Sequence, residues 1–193
     1  MNEHEPAALV RVACPDTAAA VTATLRGEGW HIRADVAQAE PAAGIGCVVF
    51  DPGFVCYGDH DHRPASPDPA AELDELVAGL LPGLAERDHG GAAVIAFTTR
   101  EALGSPADIR RTAAAAGIVA AVRGLALVYA ARGISVNAVC ALEHPVPGLL
   151  PDPVTLADVA AATAFFAGHR SRYITGQTLY VCAGTSLLSS LSA

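Results

Sequence analysis

Residues 132–139 read RGISVNAV, and this stretch decides the class of fold. It predicts a strand over 134–139. This strand follows the longest predicted helix of the chain, 109–131, after only Arg132 and Gly133. In residues 109–131, Ile118, Val122, Leu125 and Tyr129 recur at the three- and four-residue spacing of a helix face. A long helix that leads through a short turn into an apolar strand is typical of α/β proteins.

Outward from this stretch, predicted strands alternate with predicted helices along the whole chain. Further strands are expected at 8–14, 30–34, 45–50, 92–97 and 178–182, and helices at 16–26, 70–87 and 156–167. Asp16 is the expected N-cap of the first helix. The segments 51–69 and 143–153 are rich in Pro, Gly and Asp and predict loops. Alternation of this kind predicts a parallel sheet with helices on both faces.

The composition limits the number of domains, the partners and the location that can be expected for this chain. Of 193 residues, 52% are apolar and 17% charged, which provides a core and predicts one domain over 1–193. The net charge is −8, all twelve basic residues are arginine and no stretch concentrates them, so nucleic acid and anionic membranes are not expected as partners. The acidic N-terminus and the lack of an uninterrupted apolar run of membrane-spanning length predict a cytoplasmic protein. The five scattered cysteines are expected to be buried, reduced thiols.

Four segments resemble the short-chain dehydrogenase/reductase family. The residues GAAVIAFTT at 91–99 resemble the strand that ends in the family's catalytic Ser. Ala116-Gly117 followed by RGLAL at 123–127 is similar to the family's active-site helix. The residues RGISVNAV and YITGQTLYV (173–181) resemble two of its strand motifs in residue identity and in order along the chain. The resemblance implies a Rossmann-like, doubly wound sheet. It covers 45–184, whereas 1–44 is a divergent strand–helix–strand start and 185–193 is a tail. The family's third strand and its helix are expected to be missing, because only ten residues separate the second predicted strand from the next.

The family's proton-transfer residues are mostly absent from the matching positions. Arg111 stands where the resemblance places the catalytic Tyr, Ala115 stands at the Lys position, and Thr99 stands at the Ser position. The family's relay Asn has no counterpart, because Asn2 and Asn137 are the only asparagines and Asn137 belongs to the strand motif. Arginine cannot act as acid or base near neutral pH, since its pKa lies above about 12. We therefore expect no catalytic residues of the family type.

The residues that would bind the dinucleotide are changed as well. The family's Gly-rich turn is Cys14-Pro15-Asp16-Thr17 here, so side chains and a missing proline N–H obstruct the approach of a pyrophosphate. The family's Asn-Asn-Ala-Gly motif appears as residues 50–53 (FDPG), and its Pro-Gly pair as residues 141–142. We expect no bound cofactor.

Two other groups of residues leave alternatives open. His60 and His62, with Cys56 or Asp59, could bind a metal ion or supply an acid/base group. A solvated polar loop is the favoured explanation, because two histidines on a flexible loop lack an enforced ligand geometry, and no metal is expected. Thr99 and Arg111 could together hold a carboxylate or an acyl-thioester oxygen. The alternative is an ion pair between Arg111 and Asp108 or Glu101.

These observations favour a non-catalytic, oligomeric member of the family. The expected interface is the helix 109–131 with the segment 173–184, which family members use to form dimers and tetramers. A stripe of small residues, Ala114, Gly117, Ala121 and Gly124, would let a partner helix approach closely. The partner would be a second copy or an active dehydrogenase. The alternative is an enzyme of nicotinamide-independent chemistry on a small apolar substrate (an isomerase, dehydratase or cyclase) that uses Thr99, Arg111, His60 or His62, or a residual oxidoreductase.

Overall fold

The computed structural model describes residues 6–33, 44–57, 66–85, 87–142 and 147–188. Six strands in this part of the chain form one sheet in which every neighbouring pair is parallel. The strands are β1 (Ala7–Val12), β2 (His31–Arg33), β3 (Ile45–Asp51), β4 (Ala92–Thr99), β5 (Ile134–Ala141) and β6 (Thr178–Val181). Their order across the sheet is β2-β1-β3-β4-β5-β6.

Helices cover both faces of the sheet. They are α1 (Pro15–Gly27), α2 (Pro69–Leu80), α3 (Ile109–Tyr129), α4 (Leu156–Ala167) and the single turn α5 (Thr185–Leu188). One layer is formed by α1 packed on α4, and the other by α2 packed on α3. The chain winds from β1 outward to β2, then crosses back to β3 and continues to β6. The fold is therefore the predicted Rossmann-like doubly wound sheet. The division of the chain into one domain stays a prediction.

The strand order also reflects the expected deletion. The usual order of this architecture is 3-2-1-4-5-6, whereas β2 forms one edge of the sheet among the described residues. Only ten residues, 34–43, separate β2 from the described start of the next segment at Gly44, and they lie outside the described residues. The central strands β4 and β5 are buried along their whole length, as expected for a sheet covered on both faces.

The face predicted for the longest helix is confirmed. Ile118 and Val122 are fully buried in α3, Leu125 is 6% exposed, and the helix packs against β4, β5 and α2. By length and composition alone Ile109–Arg132 could also span a membrane. One face of α3 packs against the sheet and α2, and the rest of the helix is partly or fully exposed.

Two element boundaries differ from the prediction. The first helix begins at Pro15 with Cys14 as its N-cap, so Asp16 lies in the first turn and is not the cap. Proline favours this start because its ring fixes a helical φ and the first helical N–H needs no partner. The helix predicted over 70–87 ends at Leu80, and a short 3₁₀ turn containing Pro82 follows, since proline cannot continue the hydrogen-bond pattern of a helix.

Candidate functional site

The expected ligand site lies at the carboxyl ends of β1 and β3. The winding direction reverses between these two strands, and ligands of doubly wound folds bind in the crevice above such a reversal. The backbone N–H of Ala13 donates to the carbonyl of Asp51 at 3.0 Å and joins the two strand ends there. The segments that follow, 14–17 and 52–56, would form the walls of the crevice.

A disulfide closes this crevice. Cys14, the N-cap of α1, is bonded to Cys56, and their Cα atoms are 5.5 Å apart. Beside the disulfide, the hydroxyl of Thr17 donates to the carbonyl of Val55 at 2.7 Å. All four residues are buried. The first turn of α1, where a dinucleotide phosphate would bind in this architecture, is thus packed against the loop after β3.

This disulfide corrects two expectations. Cys14 and Cys56 are not reduced thiols, whereas Cys47, Cys140 and Cys182 are free and buried as predicted. Cys56 is also removed as a candidate metal ligand, because a disulfide sulfur offers no thiolate. His60 and His62 lie outside the described residues, and among those described no group of three His, Cys, Asp or Glu side chains could hold a metal ion.

The buried carboxylate of Asp51 organises the loop after β3. Its two oxygens accept the backbone N–H groups of Gly53, Phe54 and Val55 at 3.0, 2.7 and 3.2 Å. Burial raises the pKa of Asp51 to about 6, although these three hydrogen bonds and the Arg111 charge pull it down. Gly53 has a φ of +116°, a conformation that side chains rarely adopt. Asp51 therefore acts on its own loop.

Arg111 stands at the position where the family resemblance implies a catalytic tyrosine. Its Nε forms an ion pair with the carboxylate of Glu101, and a second nitrogen donates to the carbonyl of Phe54 at 3.3 Å. The guanidinium also lies over the Phe54 ring, 5.6 Å from its centre. Its side chain is only 8% exposed. Arg111 therefore joins α3 to the loop after β3.

Thr99 and Arg111 are brought together, but not around an empty anion site. The hydroxyl of Thr99, at the end of β4, donates to Glu101 at 3.4 Å, so both side chains are directed at the same carboxylate. Of the two interpretations of this pair, the ion pair of Arg111 with Glu101 is the one present. It is buried for the most part and not on the surface. Asp108 instead caps α3 and accepts the backbone N–H groups of Arg110 and Arg111.

The remaining family positions have structural roles. Ala115 is fully buried, and its carbonyl accepts the hydroxyl of Thr98 at 2.9 Å. The Asn137 side chain donates to the carbonyl of Ile174 at 2.7 Å and accepts the N–H of Gln177 at 3.1 Å, which fastens β5 to the segment before β6. None of these groups has a proton to transfer near neutral pH.

Sequence reasoning missed the role of Asp51 and the bond between Cys14 and Cys56. Glu101, in contrast, was one of the two partners expected for Arg111. For the disulfide, the sequence offers one signal: each of the two cysteines lies at or shortly after the end of a predicted strand. Cys14 follows the end of β1 by two residues and Cys56 follows that of β3 by five, so a parallel pairing of these strands places both at one edge of the sheet.

Two known proteins are similar in sequence. The chain is 31% identical over 191 residues to the (2S)-[(R)-hydroxy(phenyl)methyl]succinyl-CoA dehydrogenase subunit BbsC of Thauera aromatica, covering 88% of this chain and 75% of that protein. It is 31% identical over 114 residues to the 3-oxoacyl-[acyl-carrier-protein] reductase FabG of Staphylococcus aureus, covering 51% of this chain and 46% of the reductase. The chain thus spans less than half the length of that reductase. No family model matches the sequence.

Solved structures share the fold over nearly the whole chain. The enoyl-[acyl-carrier-protein] reductase (NADH) of Aquifex aeolicus superposes with a TM-score of 0.72 at 18% identity, covering 95% of this chain and 97% of that one. A short-chain dehydrogenase/reductase of Serratia marcescens superposes with a TM-score of 0.67 at 18% identity, covering 95% and 98%. At this level of identity the likeness concerns the fold alone.

Proposed function

The chain belongs to the short-chain dehydrogenase/reductase family, and we propose that within this family it is a non-catalytic subunit. It would associate with a second copy of itself or with an active dehydrogenase. One observation carries the proposal: the crevice where the family works is filled by the chain's own groups, the Cys14–Cys56 disulfide and the Arg111–Glu101 ion pair.

The chemistry of the crevice supports this role. Hydride transfer to or from a carbonyl needs a group that gives or takes a proton near neutral pH. An arginine side chain does not supply such a group, and the side chain one turn after Arg111 is the methyl group of Ala115. A substrate carbonyl near Thr99 would also have to displace the Glu101 carboxylate from both Thr99 and Arg111.

The packing of the crevice argues against a dinucleotide. Phosphate binding at a helix N-terminus needs open backbone N–H groups. Here Cys14 and Thr17 are buried against Cys56 and Val55, and Pro15 offers no N–H. Asp16 adds a negative charge to the first turn, where it repels phosphate.

The surface of α3 supports the association. Leu127, Val128 and Ile109 on this helix are 84%, 66% and 69% exposed, which is unusual for large apolar side chains in a water-exposed position. Gly124 has open space around it, so a partner backbone could approach closely there. Gly117, by contrast, faces Ala70 of α2, so only part of the small-residue stripe is available to a partner.

The predicted second part of the interface has a compatible surface. Tyr173 is 88% exposed and Leu179 of β6 is 38% exposed. Within the described part of the chain β6 is the edge strand opposite β2. Association of both regions with a partner remains part of the proposal, and the predicted cytoplasmic location stays a prediction.

The name of one relative also supports a role as a subunit. The Thauera aromatica protein is named as a subunit of a dehydrogenase, so a protein 31% identical to this chain works within an enzyme that has more than one kind of chain or copy. We infer the same arrangement here, with this chain stabilising the assembly or shaping the substrate entrance of its active partner.

Native mass spectrometry with size-exclusion chromatography tests the proposal. The expected result is a dimer or larger assembly, alone or with a short-chain dehydrogenase encoded beside this chain. Leu127→Glu should dissociate it, because a charge would be buried in the α3 interface. Phe165→Glu is the matched control, since Phe165 is a half-exposed apolar residue of α4 in the other helical layer. A monomer at micromolar concentration, both alone and with that dehydrogenase, would contradict the proposal.

A further inference from the structure

A second concave site lies at the opposite end of the sheet from the closed crevice. The cleft has a volume of about 1140 Å³ and runs across the amino ends of β1, β3, β4 and β5, at Ala7, Gly46, Ala92 and Ser135. The site residues discussed above lie at the other ends of these strands. The cleft is therefore independent of the crevice that the family uses.

Among the described residues, the charged side chains that line this cleft are arginines. Arg33 and Arg172 line it, together with His31, His89 and His169, which are all of the histidines in the described part of the chain. No Asp or Glu is among its described lining residues. The whole chain has a net charge of −8. A local concentration of cationic groups against that background favours an anion.

Neighbouring groups hold the Arg172 guanidinium in position at the rim. One nitrogen lies 3.4 Å from Nε2 of His169, and another donates to the hydroxyl of Tyr173 at 3.2 Å. The guanidinium also lies over the Tyr173 ring, 5.0 Å from its centre. The hydrogen bond from Arg172 lowers the pKa of Tyr173. A guanidinium held in this way loses less conformational entropy when it pairs with a carboxylate or phosphate.

The floor of the cleft is apolar. It includes Trp30, Leu84 and Phe166. The Trp30 ring lies directly on the start of β3, because a Cβ at Gly46 would be 3.0 Å from its Cζ3 atom. The lack of a side chain at Gly46 thus leaves room for the indole ring of Trp30. An aromatic floor below a cationic rim is complementary to a ligand with an apolar body and one anionic end.

We propose that this cleft binds a small amphipathic anion, a molecule with an apolar body and a single carboxylate or phosphate head group. The head group pairs with Arg172, which its neighbours hold in position, and the body lies on the apolar floor formed by Trp30 and Phe166. This binding does not depend on the proposed role as a non-catalytic subunit, and a failure of either leaves the other standing.

Isothermal titration calorimetry with octyl phosphate, below its micelle-forming concentration, tests the site. We expect saturable binding of one molecule per chain, at least tenfold tighter than that of octanol or inorganic phosphate, each of which supplies half of the recognised chemistry. Octanoate in place of octyl phosphate shows which head group is preferred. Binding no tighter than that of octanol would overturn the proposal, since the cationic rim would then contribute nothing.

Variants locate the binding. Arg172→Met and Trp30→Leu should each weaken binding of octyl phosphate at least fivefold. Arg123→Met is the matched control and should leave it unchanged, because Arg123 is an exposed arginine of α3 that does not line the cleft. Circular dichroism verifies that each variant is folded, and a variant that unfolds is replaced by the milder Arg172→Gln or Trp30→Phe. Equal affinity of the wild type and the folded rim variants would place the ligand elsewhere and overturn the proposal.

Discussion

The two ends of the sheet differ in how their polar groups are satisfied. At the carboxyl end, Asp51, Arg111 and Glu101 are partnered by one another or by the backbone, and the disulfide joins the two walls. At the amino end, cationic side chains surround an open cleft. Polar groups that satisfy each other in a buried place contribute to the fold, whereas exposed groups directed into a cleft are available to a ligand.

Under the proposed function, the carboxyl end stabilises the fold and does not bind a ligand. Relatives with this fold include an NADH-dependent reductase, and in doubly wound folds the ligand bridges the strands at the reversal point. In this chain a covalent bond and an ion pair join the same places. Substitutions at the carboxyl end should therefore lower the free energy of unfolding, and substitutions at the amino end should leave it nearly unchanged.

The largest expected effect on stability is the loss of the disulfide. The bond closes a loop of 42 residues, so the double variant Cys14→Ser/Cys56→Ser should lose about 4 kcal/mol of unfolding free energy. Urea denaturation followed by circular dichroism measures this. Dithiothreitol should lower the stability of the wild type by a similar amount and leave the double variant unaffected. Equal stability of both proteins without reductant would show that the carboxyl end is not held by this bond.

The second effect is a pH dependence that comes from Asp51. Its pKa of about 6 in the fold exceeds the ordinary value of 3.8, so its favourable contribution is present below pH 4 and is lost as the pH rises through 6. Between pH 4 and pH 7.5 the wild type should lose about 3 kcal/mol of stability relative to Asp51→Asn, which does not titrate.

An acidic residue with the opposite shift provides the control for Asp51. The hydrogen bonds from Thr155 lower the pKa of Asp158, so its contribution is present above its unfolded pKa and is lost as the pH falls. The comparison of wild type with Asp158→Asn should therefore change in the other direction. A pH-independent difference between wild type and Asp51→Asn would show that the carboxylate is not buried as described.

A third, smaller effect concerns the ion pair across the crevice. A double-mutant cycle with Arg111→Met and Glu101→Gln should give a coupling energy of about 2 kcal/mol, because both side chains are mostly buried. Arg110→Met, an exposed neighbour on the same helix turn, should change stability by less than about 0.5 kcal/mol. A coupling near zero would mean that Arg111 does not join α3 to the β3 loop.

The smallest effect is expected at the amino end. Arg172→Met removes an exposed guanidinium whose contact with the Tyr173 ring lies in solvent and contributes little to stability. The urea midpoint should therefore change little, although the affinity for octyl phosphate should fall. A loss of stability as large as that at Arg111 would remove the contrast between the two ends.

The order of elements could be predicted from the sequence, because each depends on local patterns. The RGISVNAV stretch became β5, and the periodicity of Ile118, Val122 and Leu125 placed the buried face of α3. The helix over 156–167 has the predicted limits, since Thr155 and Asp158 form a capping box that fixes its start.

The groups that close the crevice could not be predicted, because each depends on contacts between distant parts of the chain. Cys14 and Cys56 are 42 residues apart, and only the pairing of β1 with β3 brings them together. Glu101 was one of two candidate partners for Arg111. The short 3₁₀ turn after β4 (Arg100–Leu103) decides between them by directing Glu101 at the guanidinium. The same limit applies to the amino-end cleft, whose histidines come from three separate segments.

Calorimetric titration of the whole chain with NADH and NADPH tests the central claim most directly. The closed crevice predicts no saturable heat at coenzyme concentrations up to about 1 mM, with the disulfide intact or reduced, because Arg111 and Asp51 still fill the carboxyl end. Binding of one coenzyme per chain with a micromolar Kd would contradict the account and restore this chain to the nucleotide-binding members of its family.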